Sequence, residues 1–287
     1  MSVKLFTIVK DEIDIVNEWV HYHGTLFGYQ NLHIIDNISS DGTFECLLDL
    51  QKKYGCVVVQ MSDYRLKGHY MSALIRQYCQ DAPIAYPLDI DEFIVHYDKA
   101  THTISSDKDQ IMAYLSDVIL PKITRQEARC FKTNYIISKI IGSPEGYQDA
   151  VRQSSHGCYA DYKKEAKTFF SARYIIDHNV TIDHGNHFTR EDYFLTDLVL
   201  VHYHARSLGQ MQKKVYNNVL GFGYPVDSAE LLAAHLRDWN GHHVKTRIDM
   251  LTGQYQLPVE QEDTQKPVSA AHVPLFPIAQ CMRLIEK

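Results

Sequence analysis

Residues 84–95, Ile84-Ala85-Tyr86-Pro87-Leu88-Asp89-Ile90-Asp91-Glu92-Phe93-Ile94-Val95, decide how the rest of the chain is interpreted. An apolar run that predicts a buried strand leads into three carboxylates, Asp89, Asp91 and Glu92, and apolar residues then resume at once. Burial of a carboxylate beside an apolar strand is unfavourable unless a cation or hydrogen-bond donors neutralise the charge. We therefore expect a partner for these side chains.

A divalent metal ion is the partner that the pattern favours. In an extended segment, residues i and i+2 point to the same side, so Asp89 and Asp91 are expected to converge on one ion while Ile90 points into the core. Carboxylate oxygens suit Mg²⁺ or Mn²⁺, which often stay partly hydrated and shared with substrate phosphates. A solvated turn after an edge strand is the alternative interpretation.

Upstream of this stretch, apolar runs alternate with segments of helical periodicity. Strands are expected at about 4–9, 32–35 and 56–61, and helices at about 13–27, 43–54 and 70–80. Completed by the strand at 84–89, this order is typical of a parallel sheet covered on both faces, with a ligand crevice beyond the carboxyl ends of the strands. The polar residues at those ends are Lys10, Asp36, Asn37 and Asp89.

The second half of the chain is less regular. The expected elements are a helix at 108–120, an extended segment at 128–137, β-like runs within 168–180 and a strand at 198–201. Further helices are expected at 208–220 and 228–239, and the tail from 261 is expected to be an extended arm.

Composition narrows the class of protein. The chain has 287 residues and a formal net charge of −6, which argues against a broad nucleic-acid-binding surface. No run approaches the ~20 apolar residues that span a bilayer, and the N-terminus lacks a signal-peptide profile, so we expect a cytoplasmic protein without a transmembrane segment. The six cysteines form no Cys-x-x-Cys pair, which argues against a structural zinc site or a disulfide framework.

Three stretches taken together resemble one family, the glycosyltransferases related to family 2 and family 92. The opening of that family is similar to Val9-Lys10-Asp11-Glu12, Glu18-Trp19-Val20-His21-Tyr22-His23 and Ile35-Asp36-Asn37-Ile38-Ser39-Ser40-Asp41-Gly42-Thr43. Its metal-binding Asp-x-Asp motif resembles Leu88-Asp89-Ile90-Asp91-Glu92-Phe93. Its C-terminal His-Tyr-x-x-Lys-Ser segment resembles Val201-His202-Tyr203-His204-Ala205-Arg206-Ser207, which has arginine where the family commonly has lysine.

The resemblance covers about residues 3–215 and implies a fold and an activity. The implied fold is α/β of the GT-A type, Rossmann-like, with a mixed, mainly parallel sheet flanked by helices. It would comprise residues 1–207, with a nucleotide-binding half at 1–98 and an acceptor half at 99–207, followed by a helical extension at 208–260 and a C-terminal arm at 261–287. The implied activity is metal-dependent transfer of a hexosyl or pentosyl group, with inversion, from a nucleotide-sugar donor to a saccharide or glycoconjugate hydroxyl.

The resemblance also implies roles for individual residues. A metal ion, Mn²⁺ or Mg²⁺, would neutralise the charge on the departing nucleoside diphosphate. Its expected ligands are Asp89, Asp91 and His202, with His184, His187 and His204 as rivals. The expected donor-binding residues are Lys10, Glu12, Asp36, Asn37, Arg65, Asp89 and Arg206. Arg206 keeps the charge needed for a phosphate contact, with Lys213 or Lys214 as substitutes, and Lys67 accompanies Arg65.

An inverting transfer needs a carboxylate base within reach of the acceptor hydroxyl. Asp149, in Pro144-Glu145-Gly146-Tyr147-Gln148-Asp149, is the expected base, and a helix-capping role is its alternative. Glu145, Asp161 and Asp183 are further candidates. A retaining enzyme would need no such base.

Two other functions stay open on the sequence. A metal-dependent phosphoesterase or nucleotidyl hydrolase would require a two-metal cluster with more carboxylates than the motifs supply. A non-catalytic carbohydrate-binding domain would bind sugar regardless of chelator and would consume no donor.

Overall fold

The computed structural model of the chain describes residues 1–101, 103–138, 157–160, 166–187, 193–204, 206, 210, 213–214, 216–217 and 275–276. The strands in these segments form one sheet. They are, in chain order, β1 (Val3–Val9), β2 (Leu32–Asp36), β3 (Val57–Gln60), β4 (Ile84–Pro87), β5 (Glu92–Asp98), β6 (Thr103–Ser105), β7 (Cys130–Ser138), β8 (Gly157–Ala160), β9 (Lys167–Ser171), β10 (Tyr193–His202) and β11 (Leu275–Phe276).

Helices lie between the strands of the first half and after β6 and β9. They are α1 (Val16–Phe27), α2 (Thr43–Tyr54), α3 (Lys67–Tyr78), α4 (Lys108–Tyr114), α5 (Leu120–Thr124) and α6 (Ala172–Asp177). A π-helical turn at Leu115–Ile119 joins α4 to α5, and short 3-10 turns lie at Tyr29–Asn31 and Tyr64–Leu66. Among the described residues, no helix combines the length and the apolarity that crossing a membrane requires.

The sheet is mixed, and its first half is parallel. The strand order is β3-β2-β1-β4-β9-β7-β10-β5-β6, with β8 between β7 and β11. β1 lies parallel between β2 and β4, β3 continues parallel to β2, and β7 runs parallel to β10. β9 and β5 enter antiparallel. The predicted α/β class with a mixed sheet is confirmed.

Helices cover both faces of the sheet, as the order of elements predicts. Because successive side chains of a strand point to opposite faces, β1 divides its apolar residues between two cores. Leu5 and Val9 pack into the core that contains Trp19 of α1, and Phe6 packs into the core that contains Ile75 of α3. A strand buried on both faces explains the nearly continuous apolar sequence of β1.

Most predicted elements of the first half lie where the periodicity places them, and α2 coincides with the expected 43–54. α1 begins later than expected, at Val16, and no side chain caps it. Asp11, the residue suited to cap it, has a positive φ of 55° and accepts a hydrogen bond from the Ser40 amide instead. The loop after β1 is therefore tied to the loop after β2.

The second half differs from the sequence interpretation at one point. The β-like runs expected within 168–180 give only β9, and the chain then turns into α6. The helix expected at 208–220 is described at 210, 213–214 and 216–217, which are helical. The helix expected at 228–239 lies outside the described residues, as does the expected arm from 261 except for β11.

Candidate functional site

A cavity of about 560 Å³, lined by several charged side chains, opens at the carboxyl ends of the parallel strands. Lys10 follows β1, Asn37 follows β2, and Asp89 and Asp91 follow β4. His202 ends β10 and faces the same cavity. Ligands of open α/β sheets bind at this edge, so the cavity is the candidate functional site.

The Asp-x-Asp segment is a turn rather than an extended strand. β4 ends at Pro87 and β5 begins at Glu92, and the Glu92 amide donates to the Asp89 carbonyl at 3.1 Å. The Glu92 carboxylate accepts from the Asp89 amide at 2.8 Å and so holds the turn. The expectation that an extended backbone aims both aspartates at one ion is therefore wrong about the backbone, and the two side chains have different partners.

Asp91 lies among nitrogen atoms from the C-terminal half of the chain. Its Oδ2 is 3.5 Å from His202 Nε2, 3.7 Å from His204 Nδ1 and 2.5 Å from Lys214 Nζ. The Asp91 side chain is only 1% exposed. Burial alone would raise its pKa, but Lys214 and His202 outweigh that effect and hold the pKa of Asp91 well below its usual range.

Asp91, His202 and His204 form a group that can hold a metal ion. Their candidate ligand atoms all lie within 4.8 Å of one another. One carboxylate and two imidazoles make a suitable donor set for a divalent transition metal. Within the described part of the chain this is the single such group of three. It includes His204, a rival ligand on sequence grounds, and does not include Asp89, whose role as a ligand stays a prediction.

Asp89 is held between two buried lysines. Its Oδ1 accepts from Lys67 Nζ and its Oδ2 from Lys167 Nζ, each at 2.7 Å. Burial raises the pKa of Asp89, but the two ammonium groups outweigh it and keep the pKa well below the ordinary value. Burial lowers the pKa of Lys67 and of Lys167, and Asp89 in turn raises both above the ordinary value. All three groups are therefore charged at neutral pH.

Close backbone packing places the two lysines. Lys67 begins α3, and the next residue, Gly68, approaches the loop before the cavity so closely that a Cβ would lie 1.9 Å from the Ile182 carbonyl oxygen. Lys167 begins β9, where β9 diverges from β4. Asn186 bridges this divergence by donating to the Pro87 and Thr168 carbonyls at 2.7 and 2.8 Å.

Arg206 lies behind the cavity wall. Its side chain is 1% exposed and its guanidinium donates to Asp14 at 2.7 and 3.1 Å, to the Glu12 carboxylate and to the Tyr203 carbonyl. Its Nη1 also lies 3.8 Å from Asp91 Oδ2, so the guanidinium is surrounded by carboxylates of the chain itself. The expected phosphate contact of Arg206 does not fit this placement, and Lys214 is the cation of the same segment that lines the cavity.

The other expected donor-binding residues divide into two sets. Lys10, Glu12 and Asn37 line the cavity, and Lys10 Nζ holds the loop after β2 through the Asn37 and Ile38 carbonyls at 3.0 and 2.8 Å. Asp36 is fully buried, accepts from Gln60 Nε2 at 3.0 Å and does not line the cavity. Arg65 is 64% exposed, pairs with Asp63 and also lies off the cavity.

His184 and His187 lie between α6 and β10. His187 lines the cavity, and burial lowers its pKa to about 4. His184 packs edge-on against Tyr64 with ring centroids 4.7 Å apart. Neither belongs to the metal-binding group.

The candidate bases are mostly beyond the described residues. Asp149, Glu145 and Asp161 all lie outside them. Asp183 is described, and its carboxylate accepts from the Gly185 and His187 amides at 3.1 and 3.2 Å. Its contacts hold the loop that carries His187.

Sequence interpretation missed Lys167 entirely. A single lysine in front of an apolar run gives no signal of a buried ion pair, because its partner, Asp89, lies 78 residues away. Tyr135 was missed for the same reason. It sits inside a strand and faces the cavity, and burial, with the carboxylates around it, raises its pKa well above the usual value.

No protein-family model matches the sequence, and no curated protein matches it. Similar solved structures include TarS of Staphylococcus aureus, at 9% identity over 88% of this chain and 71% of that chain, with a TM-score of 0.45. The same protein in complex with UDP gives 10% identity over the same shares of the two chains and a TM-score of 0.44.

Two further structures are similar in fold. A cytidylyltransferase from Leptospira borgpetersenii has 10% identity over 91% of this chain and all of that chain, with a TM-score of 0.39. Glucosyl-3-phosphoglycerate synthase from Mycobacterium tuberculosis, in complex with phosphoglyceric acid, has 13% identity over 98% of this chain and 91% of that chain, with a TM-score of 0.35.

Proposed function

We propose that this protein is a metal-dependent glycosyltransferase that moves a sugar from a nucleotide-sugar donor to a saccharide or glycoconjugate hydroxyl. The observation that carries the proposal is the meeting, in one cavity at the carboxyl ends of the strands, of the Asp91, His202 and His204 group with four lysines, Lys10, Lys67, Lys167 and Lys214. A site that combines metal ligands with several ammonium groups suits a diphosphate. The resemblance of the sequence motifs to glycosyltransferases supports the same reaction.

The metal would be held by Asp91, His202 and His204, and Asp89 stays a proposed additional ligand. Two imidazoles among three protein ligands favour Mn²⁺ over Mg²⁺, which prefers oxygen. When bound, the cation supplies positive charge to the phosphate oxygens of the departing nucleoside diphosphate. The buried state of Asp91 suits this task, because a screened carboxylate would attract a cation less strongly.

The chain's own cations complete the donor site in this proposal. Lys67 and Lys167 flank Asp89 at the cavity, and Lys167 also lies 3.7 Å from the Glu92 carboxylate, so both ammonium groups are placed beside the proposed diphosphate site. Lys10, Glu12 and Asn37 line the part of the cavity nearest the loop after β2, where we place the nucleoside. Asp36, Arg65 and Arg206 support this region from outside the cavity.

The inverting course and the base are parts of the proposal that rest on the resemblance. Asp149 is the proposed base, and Asp149→Asn should lower turnover more than donor affinity. A normal rate in that variant would remove the assignment. The proposed division is a nucleotide-binding half at 1–98, an acceptor half at 99–207, a helical extension at 208–260 and an arm at 261–287.

A hydrolase with two metal ions is less well supported. Such an enzyme needs a second cluster of carboxylates that bind the metal ions directly. The described residues hold one group of three candidate ligands, and the other carboxylates that line the cavity already have partners: Asp89 accepts from two lysines, Glu12 from Arg206 and Glu92 from the Asp89 amide.

A thermal-shift screen tests the proposal. Nucleoside diphosphates and nucleotide sugars are added with Mn²⁺ or with EDTA, since a ligand at 100 times its Kd stabilises the folded state by about 2.7 kcal/mol. One donor base should give a shift that requires Mn²⁺. The shift should vanish in Asp91→Ala and persist in the matched variant Arg125→Ala, which changes an exposed side chain away from the cavity. A shift that persists in Asp91→Ala, or sugar binding that is indifferent to EDTA with no donor consumed, would contradict the proposal.

A further inference from the structure

The chain beyond β10 presents a row of hydrogen-bond donors to the acidic loops of the N-terminal half. Residues 210, 213, 214 and 217 follow helical spacing, so their side chains share one face. Gln210 Nε2 donates to Glu12 at 3.1 Å, Lys213 Nζ to Asp41 at 2.8 Å, and Asn217 Nδ2 to Asp11 at 3.0 Å. This face, which we call the 210–217 face, therefore closes one side of the cavity.

Lys214 differs from its neighbours on the 210–217 face because its partner is the metal-site carboxylate. Lys214 Nζ lies 2.5 Å from Asp91 Oδ2, and 3.9 Å from Glu12 Oε1. The same Oδ2 atom is the one nearest His202 and His204. The oxygen that would complete a metal site is thus the oxygen that accepts from an ammonium group.

An ammonium and a divalent cation cannot share that oxygen without strong repulsion. A metal ion binds a carboxylate oxygen at about 2 Å, which would bring it next to an ammonium nitrogen already in hydrogen-bond contact. Two positive charges at such a distance repel strongly in a buried site. A metal ion bound at that oxygen would therefore disfavour its contact with Lys214.

The Lys214 ammonium has room to move away from Asp91. It lines the cavity, and its four-carbon stem is flexible enough to move the ammonium by several ångströms while the backbone stays in place. Arg206 cannot respond in the same way, because its donors are bound to Asp14, Glu12 and the Tyr203 carbonyl. Among the cations that contact Asp91, Lys214 is the one suited to exchange.

We propose that Lys214 is an exchange residue that leaves Asp91 when a metal ion binds and then pairs with the diphosphate of the donor. The inference rests on the proposed function and adds to it a residue that couples the two ligands. On metal binding the Lys214 ammonium would leave Asp91 and would become a partner for phosphate oxygens. Metal and diphosphate binding are then positively coupled through one side chain.

Lys213 provides a matched control. It is the neighbouring lysine on the 210–217 face, and it pairs with Asp41 rather than with Asp91. Its side chain is 38% exposed and does not line the cavity. Lys213→Met removes one positive charge, as Lys214→Met does, and both variants keep an unbranched side chain of similar length. The comparison therefore separates the exchange from a general loss of positive charge.

The test measures binding rather than turnover. Mn²⁺ is titrated into the wild type, Lys214→Met and Lys213→Met, with free Mn²⁺ followed by electron paramagnetic resonance. Lys214→Met should bind Mn²⁺ about tenfold more tightly, because a charge-assisted hydrogen bond no longer competes for Asp91. Inorganic pyrophosphate is then titrated at saturating Mn²⁺, and Lys214→Met should bind it about tenfold more weakly. Lys213→Met should match the wild type in both titrations.

The two opposite signs make the inference easy to overturn. Unchanged or weaker Mn²⁺ binding in Lys214→Met would show that the lysine does not compete with the metal. Tighter Mn²⁺ binding with unchanged pyrophosphate affinity would overturn the transfer to phosphate. If no variant, including the wild type, binds Mn²⁺, the proposed metal site fails before the exchange does. Lys214→Gln, which keeps a neutral donor for Asp91, provides a second variant should Lys214→Met fold poorly, and the same signs are expected.

Discussion

Replacement of Arg206 separates two roles for this residue. The sequence resemblance favours a phosphate contact, whereas the structure buries the guanidinium against Glu12 and Asp14. Arg206→Met keeps much of the side-chain volume and removes the charge. We expect the variant to lose stability rather than affinity for a diphosphate.

The magnitude follows from the groups that would lose their partner. Removal of one member of a buried ion pair typically costs 3–5 kcal/mol, because the other charge stays buried without compensation, so a loss of about 3–5 kcal/mol is expected here. Glu12 is 8% exposed and would supply most of this penalty, whereas Asp14 is 28% exposed and can be rehydrated. At about 2–4 °C per kcal/mol, the midpoint of thermal unfolding should fall by about 6–20 °C.

The pH dependence of the loss gives an independent check. Burial already raises the pKa of Glu12 above its ordinary value, and Arg206 opposes that rise. Without Arg206 the pKa of Glu12 rises further, so the folded variant binds a proton more tightly than its unfolded chain. Its stability is then greatest below the unfolded pKa of Glu12 and falls as the pH rises through the folded pKa. The difference between wild type and variant should therefore be smaller at pH 5 than at pH 8.

Urea unfolding at both pH values measures these differences, and titration with pyrophosphate and Mn²⁺ measures the affinity. The double variant Arg206→Met with Glu12→Gln serves as the control, since removal of both charges should recover much of the stability. A variant that keeps its stability to within about 1 kcal/mol but loses tenfold or more in pyrophosphate affinity would refute the structural role. The phosphate contact favoured by the sequence would then be restored.

Three further predictions concern the metal group, the packing of α3 and a buried histidine. His204→Ala should weaken Mn²⁺ binding by about tenfold or more, since loss of one ligand removes over 1.4 kcal/mol, whereas His184→Ala should not; equal Mn²⁺ affinity in both variants would remove His204 from the group. Gly68→Ala should lower the unfolding free energy by about 1–3 kcal/mol, because its Cβ would lie 1.9 Å from a carbonyl oxygen. The same variant should bind pyrophosphate more weakly, because the clash would shift Lys67. A fully stable variant would contradict the close packing. Burial lowers the pKa of His23 to about 3, so on acidification the unfolded chain binds the proton first and the unfolding free energy falls by about 2 kcal/mol between pH 7 and pH 5. In urea unfolding, His23→Phe should lessen this dependence of stability on pH. An identical pH dependence in the variant would rule out His23 as its source.

Local periodicity was sufficient to predict the first half of the fold. The alternating apolar runs and helical segments predict β1 to β4 and the helices between them, and α2 lies at the expected residues. Helix boundaries set by loop contacts were harder to predict. Asp11 has the chemistry of a cap, but a hydrogen bond to the next loop takes its carboxylate, and α1 starts without one. The helix α6 was likewise not predicted, because the sequence pattern of β9 and of α6 is β-like in both.

The sequence by itself determined that carboxylates end a buried strand and that cationic residues and histidines follow a second one far along the chain. Only the tertiary structure decided which charge meets which. Asp91 meets Lys214 across 123 residues, Asp89 meets Lys167 across 78, and Arg206 meets Glu12 across 194. The physical reason is that periodicity reports only the immediate neighbours of a residue along one element. The partner of a buried charge is set by how distant elements pack, and no spacing within the sequence encodes it.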